Sequence, residues 1–200
     1  MARTREFDRS TVLDLAMQVF WQHGFAETSM QKLVERMGIC RSSLYDSFGS
    51  KEALYQEAID RYATLALDHF RDRLPGTGSA HQAISALFHG EVETLLAAEN
   101  PACLLLRTSL SRCEHCPESE EKVARFFEDL TALFREELKR GRDAGEFRAD
   151  LDLDAAAEHL VTALFGIKAQ GAIPGRRKTI ERVAAVALSI LEPPKSTANP

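Results

Sequence analysis

The stretch "LVERMGICRSSLYDSF", residues 33–48, contains a short turn between two helical patterns. Its glycine ends the first pattern, and a new helix is expected to begin at Cys40 or Arg41. Leu44 and Phe48 lie four residues apart and therefore share the buried face of that second helix. Two helices joined by a short glycine-containing turn are typical of the helix-turn-helix motif, whose second helix enters the major groove of DNA.

The segments on either side of this motif also read as helices. Between Asp8 and Gly24 the apolar residues recur at intervals of three and four, as on one face of a helix. Thr28 and Ser29 offer N-cap oxygens for the next helix, and Ser50 opens a long helix that runs to about Leu74, before the linker "PGTGS". No strong strand pattern is found in the chain, so the sequence predicts an all-α fold.

The polar residues after the turn have the chemistry that DNA recognition needs. Arg41 can donate two hydrogen bonds to a guanine edge, serine hydroxyls can reach bases or phosphates, and the Tyr45 hydroxyl suits a phosphate oxygen. Ser29 and Lys51 lie at helix N-termini, which favour phosphate anions. A plain three-helix bundle with a solvated polar face is the alternative. The side chains expected to project sideways and outward are those of Arg41, Ser42, Ser43, Tyr45 and Asp46.

Charge and composition permit this function. The net charge is −5, but residues 1–55 hold seven Lys/Arg and seven Asp/Glu, so the acidic excess lies in the later part. A neutral module binds a phosphate backbone if its cations face one way. No apolar run approaches the roughly 18 residues of a membrane span, and no secretory signal precedes the first helix. We therefore expect a cytoplasmic protein whose four cysteines are reduced.

Residues 8–60 resemble the N-terminal domain of the TetR family of bacterial one-component transcriptional regulators. The resemblance rests on "VLDLAMQVFWQHGFAETSM" and "LVERMGICRSSLYDSFGSKEALY". Its specific features are the aromatic residue after "HG", the "T-S" pair, the "MGI" turn, the "S-L-Y-x-x-F" helix and the "SKEAL" opening. The rest of the chain matches in helical layout and in the segment "GEFRADLD".

This resemblance implies a homodimer that binds an inverted-repeat operator in double-stranded DNA. The helix-turn-helix domain would span residues 1–55, and a helical effector-binding and dimerisation domain residues 56–191. Residues 192–200, which lack an apolar pattern, are expected to be disordered. Two departures are Asp46, an acid near the DNA, and Cys40, where a hydroxyl-bearing cap is more usual. The implied DNA contacts are Ser29, Met30, Gln31, Arg41, Ser42, Ser43, Tyr45, Ser47 and Lys51.

Two alanine-rich apolar stripes lie near the C-terminus, in the segments 151–168 and 180–191. Such helices approach closely, and two copies of the pair could assemble a four-helix bundle. The same stripes could instead pack only on their own core. In the family that the chain resembles the last two helices form the dimer, so we expect the interface there. Its predicted residues are Leu160, Leu164, Phe165, Val183, Ala187 and Ile190.

An effector site is expected in the middle of the chain, within residues 80–147. Apolar residues with this spacing belong to the core more often than to a ligand pocket, and their periodicity does not distinguish the two roles. No nucleotide loop, metalloprotease motif or serine elbow is present. The sequence therefore predicts neither an enzyme nor a cofactor, and the effector stays unidentified. The candidate pocket residues are Phe88, Cys103, Leu106, Phe126, Phe127 and Phe134.

Cys103, Cys113 and Cys116 allow three interpretations. They are inert buried thiols, or sensors of oxidants or electrophiles activated by a helix N-terminus or a nearby arginine, or metal ligands together with His115. A single C-x-x-C lacks the second ligand pair of a closed zinc site, which argues against a metal. Some regulators that resemble this chain carry a sensing cysteine in a similar "x-C-L" segment, which favours Cys103 among the three.

The sequence as a whole predicts a DNA-binding transcriptional regulator. We expect a repressor that is released by a small hydrophobic ligand or by thiol modification, and that is associated with the nucleoid when bound to its operator. The alternative is an effector-binding or thiol-reactive helical protein that no longer binds DNA.

Overall fold

The computed structural model describes residues 7–97, 103–110, 118–171 and 173–192. Within these ranges the chain is helical and has no strand, which confirms the all-α prediction. The helices are α1 Arg9–His23, α2 Met30–Met37, α3 Arg41–Phe48, α4 Lys51–Arg73, α5 Ala80–Ala97, α6 Leu104–Leu110, α7 Glu118–Asp143, α8 Leu153–Gly171 and α9 Arg177–Leu188, followed by a 3₁₀ turn at Ser189–Leu191.

Local caps set the ends of the first helices. The Asp8 carboxylate accepts a hydrogen bond from the Ser10 amide over 3.1 Å and caps α1. Ser29 accepts from the Lys32 amide over 3.2 Å and caps α2. Gly38 follows α2 with φ of 67°, a left-handed conformation that glycine adopts without the steric penalty of a Cβ. These contacts confirm the predicted turn between α2 and α3.

The chain divides into two compact units. The first comprises the described parts of residues 1–66 and 102–125, and the second those of residues 67–101 and 126–200. Helix α6 therefore belongs to the same unit as α1, α2 and α3. The predicted boundary after residue 55 separates functions and stays a prediction. Residues 193–200, most of the predicted tail, lie outside the described ranges.

The core of the first unit joins α1, α2 and α3 to the start of α4. Helix α2 packs against both α1 and α3. Leu33 and Leu44 are fully buried, and Phe48 is nearly so, which confirms the predicted inner face of α3. The rings of Phe20 and Tyr55 meet edge-on with their centroids 4.9 Å apart. This core leaves the opposite side of α3 free for other contacts.

Helix α6 is tied to α1 and α4 within the first unit. The Tyr55 hydroxyl lies 2.8 Å from the Thr108 hydroxyl, and both groups are buried. The Arg107 guanidinium donates to the carbonyl oxygens of Trp21 and Gln22, over 3.4 Å and 3.2 Å, at the C-terminal end of α1. A cation at this end of a helix satisfies carbonyls that lack a partner within the helix. The position of α6 is thereby coupled to that of α1.

In the second unit, α8 and α9 pack against each other and against α5. Phe88 and Phe134 are fully buried and meet edge-on at a centroid distance of 6.4 Å. Phe165 on α8 packs on Phe127 of α7 at 4.7 Å and on Phe126 at 6.0 Å. These aromatic contacts form part of the packed core of the unit.

The segment "GEFRADLD" has a structural role in the second unit. Its Glu146 carboxylate accepts hydrogen bonds from the Ser79 hydroxyl at 2.6 Å and from the amides of Ala80 and His81 at 3.1 and 3.0 Å. Glu146 therefore caps α5 from a distant part of the chain. The bond from Ser79, more than those from the amides, holds the pKa of Glu146 below its ordinary value.

A charge cluster around the buried Glu91 joins the end of α4 to α5 and α8. The Glu91 carboxylate lies 2.5 Å from His69 Nε2 and pairs with the Lys168 ammonium. Burial by itself would raise the pKa of Glu91, but Lys168 and then His69 hold it below its ordinary value. The ionised carboxylate is thus compensated inside the second unit.

Candidate nucleic-acid interface

Helix α3 separates an apolar inner side from a polar outer side. Leu44 is fully buried, whereas Arg41 and Ser42 are exposed and Tyr45 is 40% exposed. Ser43 and Ser47, at the edges of this outer side, are half-buried, and Asp46 is exposed. The structure therefore presents together the polar side chains of α3 that the sequence places on the outside.

Arg41 and Tyr45 are neighbours one turn apart on this outer side. The guanidinium carbon of Arg41 lies 5.8 Å from the centroid of the Tyr45 ring. A cation–π contact at an exposed site is weak, on the order of 0.5–1 kcal/mol. It orients the guanidinium and leaves its N–H donors available for a base edge or a phosphate.

Cys40 occupies the N-cap position of α3. Its side chain makes no capping hydrogen bond, unlike the hydroxyl-bearing residue that is more usual at this position. Its Sγ lies 3.1 Å from the hydroxyl oxygens of both Ser42 and Ser43. Hydrogen bonds from Ser42 and then Ser43 lower the pKa of Cys40 to about 7. An exposed thiol with this pKa is substantially ionised at neutral pH, and the thiolate is the reactive form.

The start of α2 presents a small polar surface. Ser29 and Gln31 are exposed and Met30 is half-buried. The Ser29 oxygen already accepts a bond from the Lys32 amide, so its hydroxyl proton is the group that can donate to a phosphate. Gln31 donates to Glu35 over 2.8 Å on the same helix.

The start of α4 holds a lysine in a fixed place. The Ser50 hydroxyl caps the helix by accepting from the Ala53 amide over 3.1 Å. The Lys51 ammonium lies 4.2 Å above the centroid of the Phe25 ring, and Phe25 packs against Tyr55 at 4.9 Å. The lysine is therefore held beside a helix N-terminus, where a phosphate is electrostatically favoured.

Comparison with known proteins identifies this arrangement. Residues 12–58 match the family described as "Bacterial regulatory proteins, tetR family", and residues 74–187 match "Tetracyclin repressor-like, C-terminal domain". The chain belongs to the TetR family. The predicted family is thereby confirmed, and with it a DNA-binding transcriptional regulator rather than an enzyme.

Individual relatives match between about half and nearly all of the chain. The HTH-type transcriptional regulator YezE of Bacillus subtilis (strain 168) is 31% identical over 198 residues, which cover 96% of this chain and 100% of YezE. The HTH-type transcriptional repressor ComR of Escherichia coli (strain K12) is 34% identical over 113 residues, 54% of each chain. A cysteine mutant of the TetR-family regulator CifR, solved in complex with 26-bp double-strand operator DNA, is 35% identical with a TM-score of 0.79, covering 93% of this chain and 98% of CifR.

The predicted effector residues are distributed over both units of this TetR-family fold. Phe88, Phe126, Phe127 and Phe134 belong to the second unit, where all but the half-buried Phe127 are buried. Cys103 and the half-buried Leu106 belong to the first unit.

The predicted dimer residues differ in the surface that they offer. Leu160 and Leu164 are fully buried, and Phe165 and Ala187 nearly so, because their side chains fill the core of their own unit. Leu160, Leu164 and Phe165 therefore have little or no surface with which to meet a partner, whereas the buried Ala187 borders a groove between α8 and α9. Val183 is exposed and Ile190 half-buried. Val186, which the sequence analysis did not select, is 66% exposed.

The structure describes only one of the three cysteines that the sequence singled out. Cys103 is buried and accepts a hydrogen bond from the Tyr62 hydroxyl over 3.7 Å. Cys113, Cys116 and His115 lie outside the described residues. Among the residues that the structure describes, no group of three or more His, Cys, Asp and Glu residues is placed to hold a metal ion. None of the helices described is long and apolar enough to cross a membrane.

The sequence did not indicate the contacts of Arg107 with α1 or the acidity of the Cys40 thiol. Arg107 donates hydrogen bonds to carbonyls of α1 that are more than eighty positions away in the sequence. No local sequence pattern predicts a contact over this distance. Cys40 was noted as a weak cap, but its acidity depends on the positions of two serine hydroxyls. The spacing C-x-S-S after a helix-ending glycine is the one signal that could have indicated it.

Proposed function

We propose that the chain is a repressor that binds an inverted-repeat operator as a homodimer. The observation that carries this proposal is the exposed polar side of α3 above the buried Leu44 and Phe48. Support comes from ComR, which is named a repressor, and from the CifR mutant, which was solved with operator DNA. Residues 1–55 would bind DNA in the cytoplasm, at the nucleoid, and residues 56–191 would bind the effector and the second copy.

Base readout is assigned to the N-terminal half of α3. Arg41 donates two hydrogen bonds to the O6 and N7 atoms of a guanine, since its guanidinium lies on an exposed residue beside the Tyr45 ring. Ser42 and Ser43 reach neighbouring bases or phosphates. The Tyr45 hydroxyl donates to a phosphate oxygen.

Backbone contacts are assigned to the residues that flank this helix. Ser29, Met30 and Gln31 meet the phosphates at the start of α2, and Lys51 meets one at the start of α4. Such contacts position the protein and carry no sequence information directly. Ser47 lies near the end of α3, where its half-buried side chain contributes at the margin of the interface.

The dimer is assigned to the outer surface of α8 and α9. A groove of about 410 Å³ between these helices is lined mainly by apolar atoms. Its lining includes Val183 and Val186, which are large apolar side chains left exposed to solvent. Exposed apolar patches of this kind mark protein interfaces, and a two-fold axis would cover the same surface on both copies. The full lining is His159, Ala163, Thr179, Arg182, Val183, Val186 and Ala187.

Two triggers for release from DNA are proposed. A small hydrophobic effector would contact Phe127, because this half-buried ring packs edge-on against Phe165 and is reached without opening the core. Alternatively, modification of Cys103 would displace the Tyr62 hydroxyl that bonds to it. Tyr62 packs edge-on against Trp21 of α1 at 5.8 Å, so the displacement acts on a helix that packs against α2 within the same unit.

Selection of bound duplexes from random-sequence DNA tests the proposed function. We expect an enriched inverted repeat whose half-sites lie about one helical turn, roughly 34 Å, or a multiple apart. A pool without enrichment would support the alternative of a helical protein that no longer binds DNA. Repeating the selection with hydrophobic ligands and with hypochlorite or a quinone identifies the trigger. Release by an oxidant in the wild type but not in Cys103→Ser would assign the thiol.

A further inference from the structure

Arg9 begins α1, but its side chain reaches the far end of α3. Its Nη2 lies 2.7 Å from Glu57 Oε1 on α4 and donates to the carbonyl oxygen of Ser47 over 3.3 Å. The guanidinium carbon lies 4.5 Å from the centroid of the Phe48 ring. One side chain therefore contacts α3 and α4 from α1, all within the first unit.

The contact satisfies a carbonyl in the last turn of α3. Helix ends leave their final carbonyls without partners inside the helix. Here the Tyr45 carbonyl accepts from the Gly49 amide at 2.9 Å, and the Phe48 carbonyl accepts from the Ser50 amide at 3.0 Å. Arg9 supplies a donor to the Ser47 carbonyl, and a cation at the C-terminal end of a helix is favoured by the helix dipole.

We infer that Arg9 is a positioning residue for operator recognition. Helix α3 has eight residues and is anchored in the core by Leu44 and Phe48. The bridge from Arg9 to Glu57 fixes the C-terminal end of α3, and so the direction in which Arg41 points. Base-edge hydrogen bonds lose strength steeply with distance and angle, so a small rotation of α3 weakens them. This inference rests on the proposed function of α3 as the helix that reads the operator.

Glu57 separates this role from a direct contact with DNA. The Arg9 side chain is 51% exposed, so a phosphate is the competing partner for its guanidinium. In the positioning role Glu57 holds the arginine on α3, and Glu57→Gln weakens operator binding. In the phosphate role the Glu57 carboxylate competes with DNA, and the same substitution strengthens binding to any sequence. The two roles thus give opposite signs for one variant.

The test measures the affinity of Arg9→Lys and Glu57→Gln for the selected operator and for a random duplex, over a range of salt concentrations. Lysine keeps the charge that a phosphate needs but lacks the planar fork that bridges Glu57 and the Ser47 carbonyl. We expect Arg9→Lys to lower operator affinity about tenfold, equivalent to roughly 1.4 kcal/mol. Affinity for random DNA should change by less than about twofold, with an unchanged salt slope. Glu57→Gln should shift operator affinity in the same direction.

Arg36→Lys is the matched control. Arg36 lies on α2 and donates to Gln18 of α1 over 2.9 Å, so it also bridges two helices from an exposed position, but this bond does not involve α3. We expect this control to keep the discrimination between operator and random DNA. A control that loses discrimination as strongly as Arg9→Lys would overturn a specific role for Arg9.

Three results would contradict the positioning role. The first is that Arg9→Lys discriminates between operator and random DNA as well as the wild type does. The second is that Glu57→Gln binds the operator more tightly. The third is that Arg9→Lys loses the same affinity for both DNAs, and that the salt dependence of its binding falls by about one per contact. Hydrogen exchange of the free protein adds a readout that needs no operator. We expect faster exchange of the α3 amides in Arg9→Lys and unchanged exchange in α2. If the wild type selects no operator, the proposed function fails, and unchanged α3 exchange would still refute the positioning of α3 by Arg9.

Discussion

Helices α3 and α9 are both amphipathic, yet they present opposite chemistry to solvent. Helix α3 exposes Arg41 and Tyr45, whereas α9 exposes Val183 and Val186. We propose that phosphates and base edges bind the donors of the first surface, and that the apolar surface of a second copy covers the second. The exposed residues of a helix therefore indicate the chemistry of its partner, while its buried residues indicate only that it packs.

The largest effect is expected at α9. Arg182 is also among the residues that line the groove, so a lysine at Val186 would lie near a like charge. A charge buried at an apolar interface costs several kcal/mol. We expect Val186→Lys to raise the Kd of the dimer at least about 100-fold, or roughly 2.8 kcal/mol. Sedimentation velocity measures the monomer fraction directly.

Leu65→Lys is the control for this substitution. Leu65 is also an exposed apolar residue, at 41%, but it lies on α4 in the first unit and does not line the groove. The Leu65→Lys variant should remain dimeric. A dimer of unchanged stability in Val186→Lys would place the interface away from α8 and α9 and would break the contrast between the two surfaces.

The next effect is expected at α3. Arg41→Ala should lower affinity for the operator by about 1–3 kcal/mol and relax the preference at one base position. The reason is that a base edge loses two donors that no neighbouring side chain replaces. Binding to a panel of operators with single base changes measures the loss position by position.

Lys51→Ala sharpens the comparison within the DNA-binding surface itself. Because Lys51 is stacked on Phe25 beside a helix N-terminus, it is expected to contact a phosphate and not a base. Its loss should weaken binding to operator and to random DNA by the same factor. It should also lower the slope of log affinity against log salt concentration by about one per contact. If Lys51→Ala loses affinity for the operator only, the base contact assigned to Arg41 and the phosphate contact assigned to Lys51 are the wrong way round.

A smaller effect is expected in the second unit, at Glu146. Its carboxylate caps α5, so Glu146→Gln should lower the free energy of unfolding by about 1 kcal/mol at neutral pH. The folded pKa is lowered, so this stabilisation is complete above the unfolded pKa and is lost as the pH falls through the folded pKa. Urea unfolding at neutral and acidic pH should show the two proteins converging in acid. A difference that persists in acid would mean that the ionised cap is not its source.

The smallest effect is expected at Cys40. Serine is a better N-cap than cysteine, so Cys40→Ser should stabilise the first unit by about 0.5 kcal/mol. Alkylation of the wild-type thiol should follow a pH profile with its midpoint at about 7. Operator DNA should slow this reaction, because Cys40 is the N-cap of the helix that we propose enters the groove. Equal rates with and without operator would place Cys40 outside the DNA interface.

How far the sequence predicted the molecule depended on the range of the contacts involved. The limits of α1, α2 and α3 followed from Asp8, Gly24, Ser29 and Gly38, because caps and left-handed glycines act within about four residues of the chain. The family resemblance followed from the same local motifs and is confirmed. The residues assigned to DNA contact stay predictions, although the structure places Arg41, Ser42 and Tyr45 on one exposed side.

Contacts between distant segments were beyond the reach of the sequence. Three hydrogen bonds illustrate this, since they join residues 38 to 86 positions apart in the sequence. They link Arg9 to Ser47, Arg107 to the end of α1, and Glu146 to the start of α5. Such pairs meet because helices pack, and nothing in the periodicity of either helix specifies its partner.

By itself the sequence determined that the chain is helical, where its first helices begin and end, and which family it belongs to. Packing in three dimensions decided which apolar residues face the core and which face outward. Leu160 and Leu164 were expected at the dimer interface but are fully buried, while Val186 is left exposed. The physical reason is that apolar residues spaced three and four positions apart show only that one face of a helix is buried. What covers that side is determined by the neighbouring helices, whose arrangement is not encoded in the stripe.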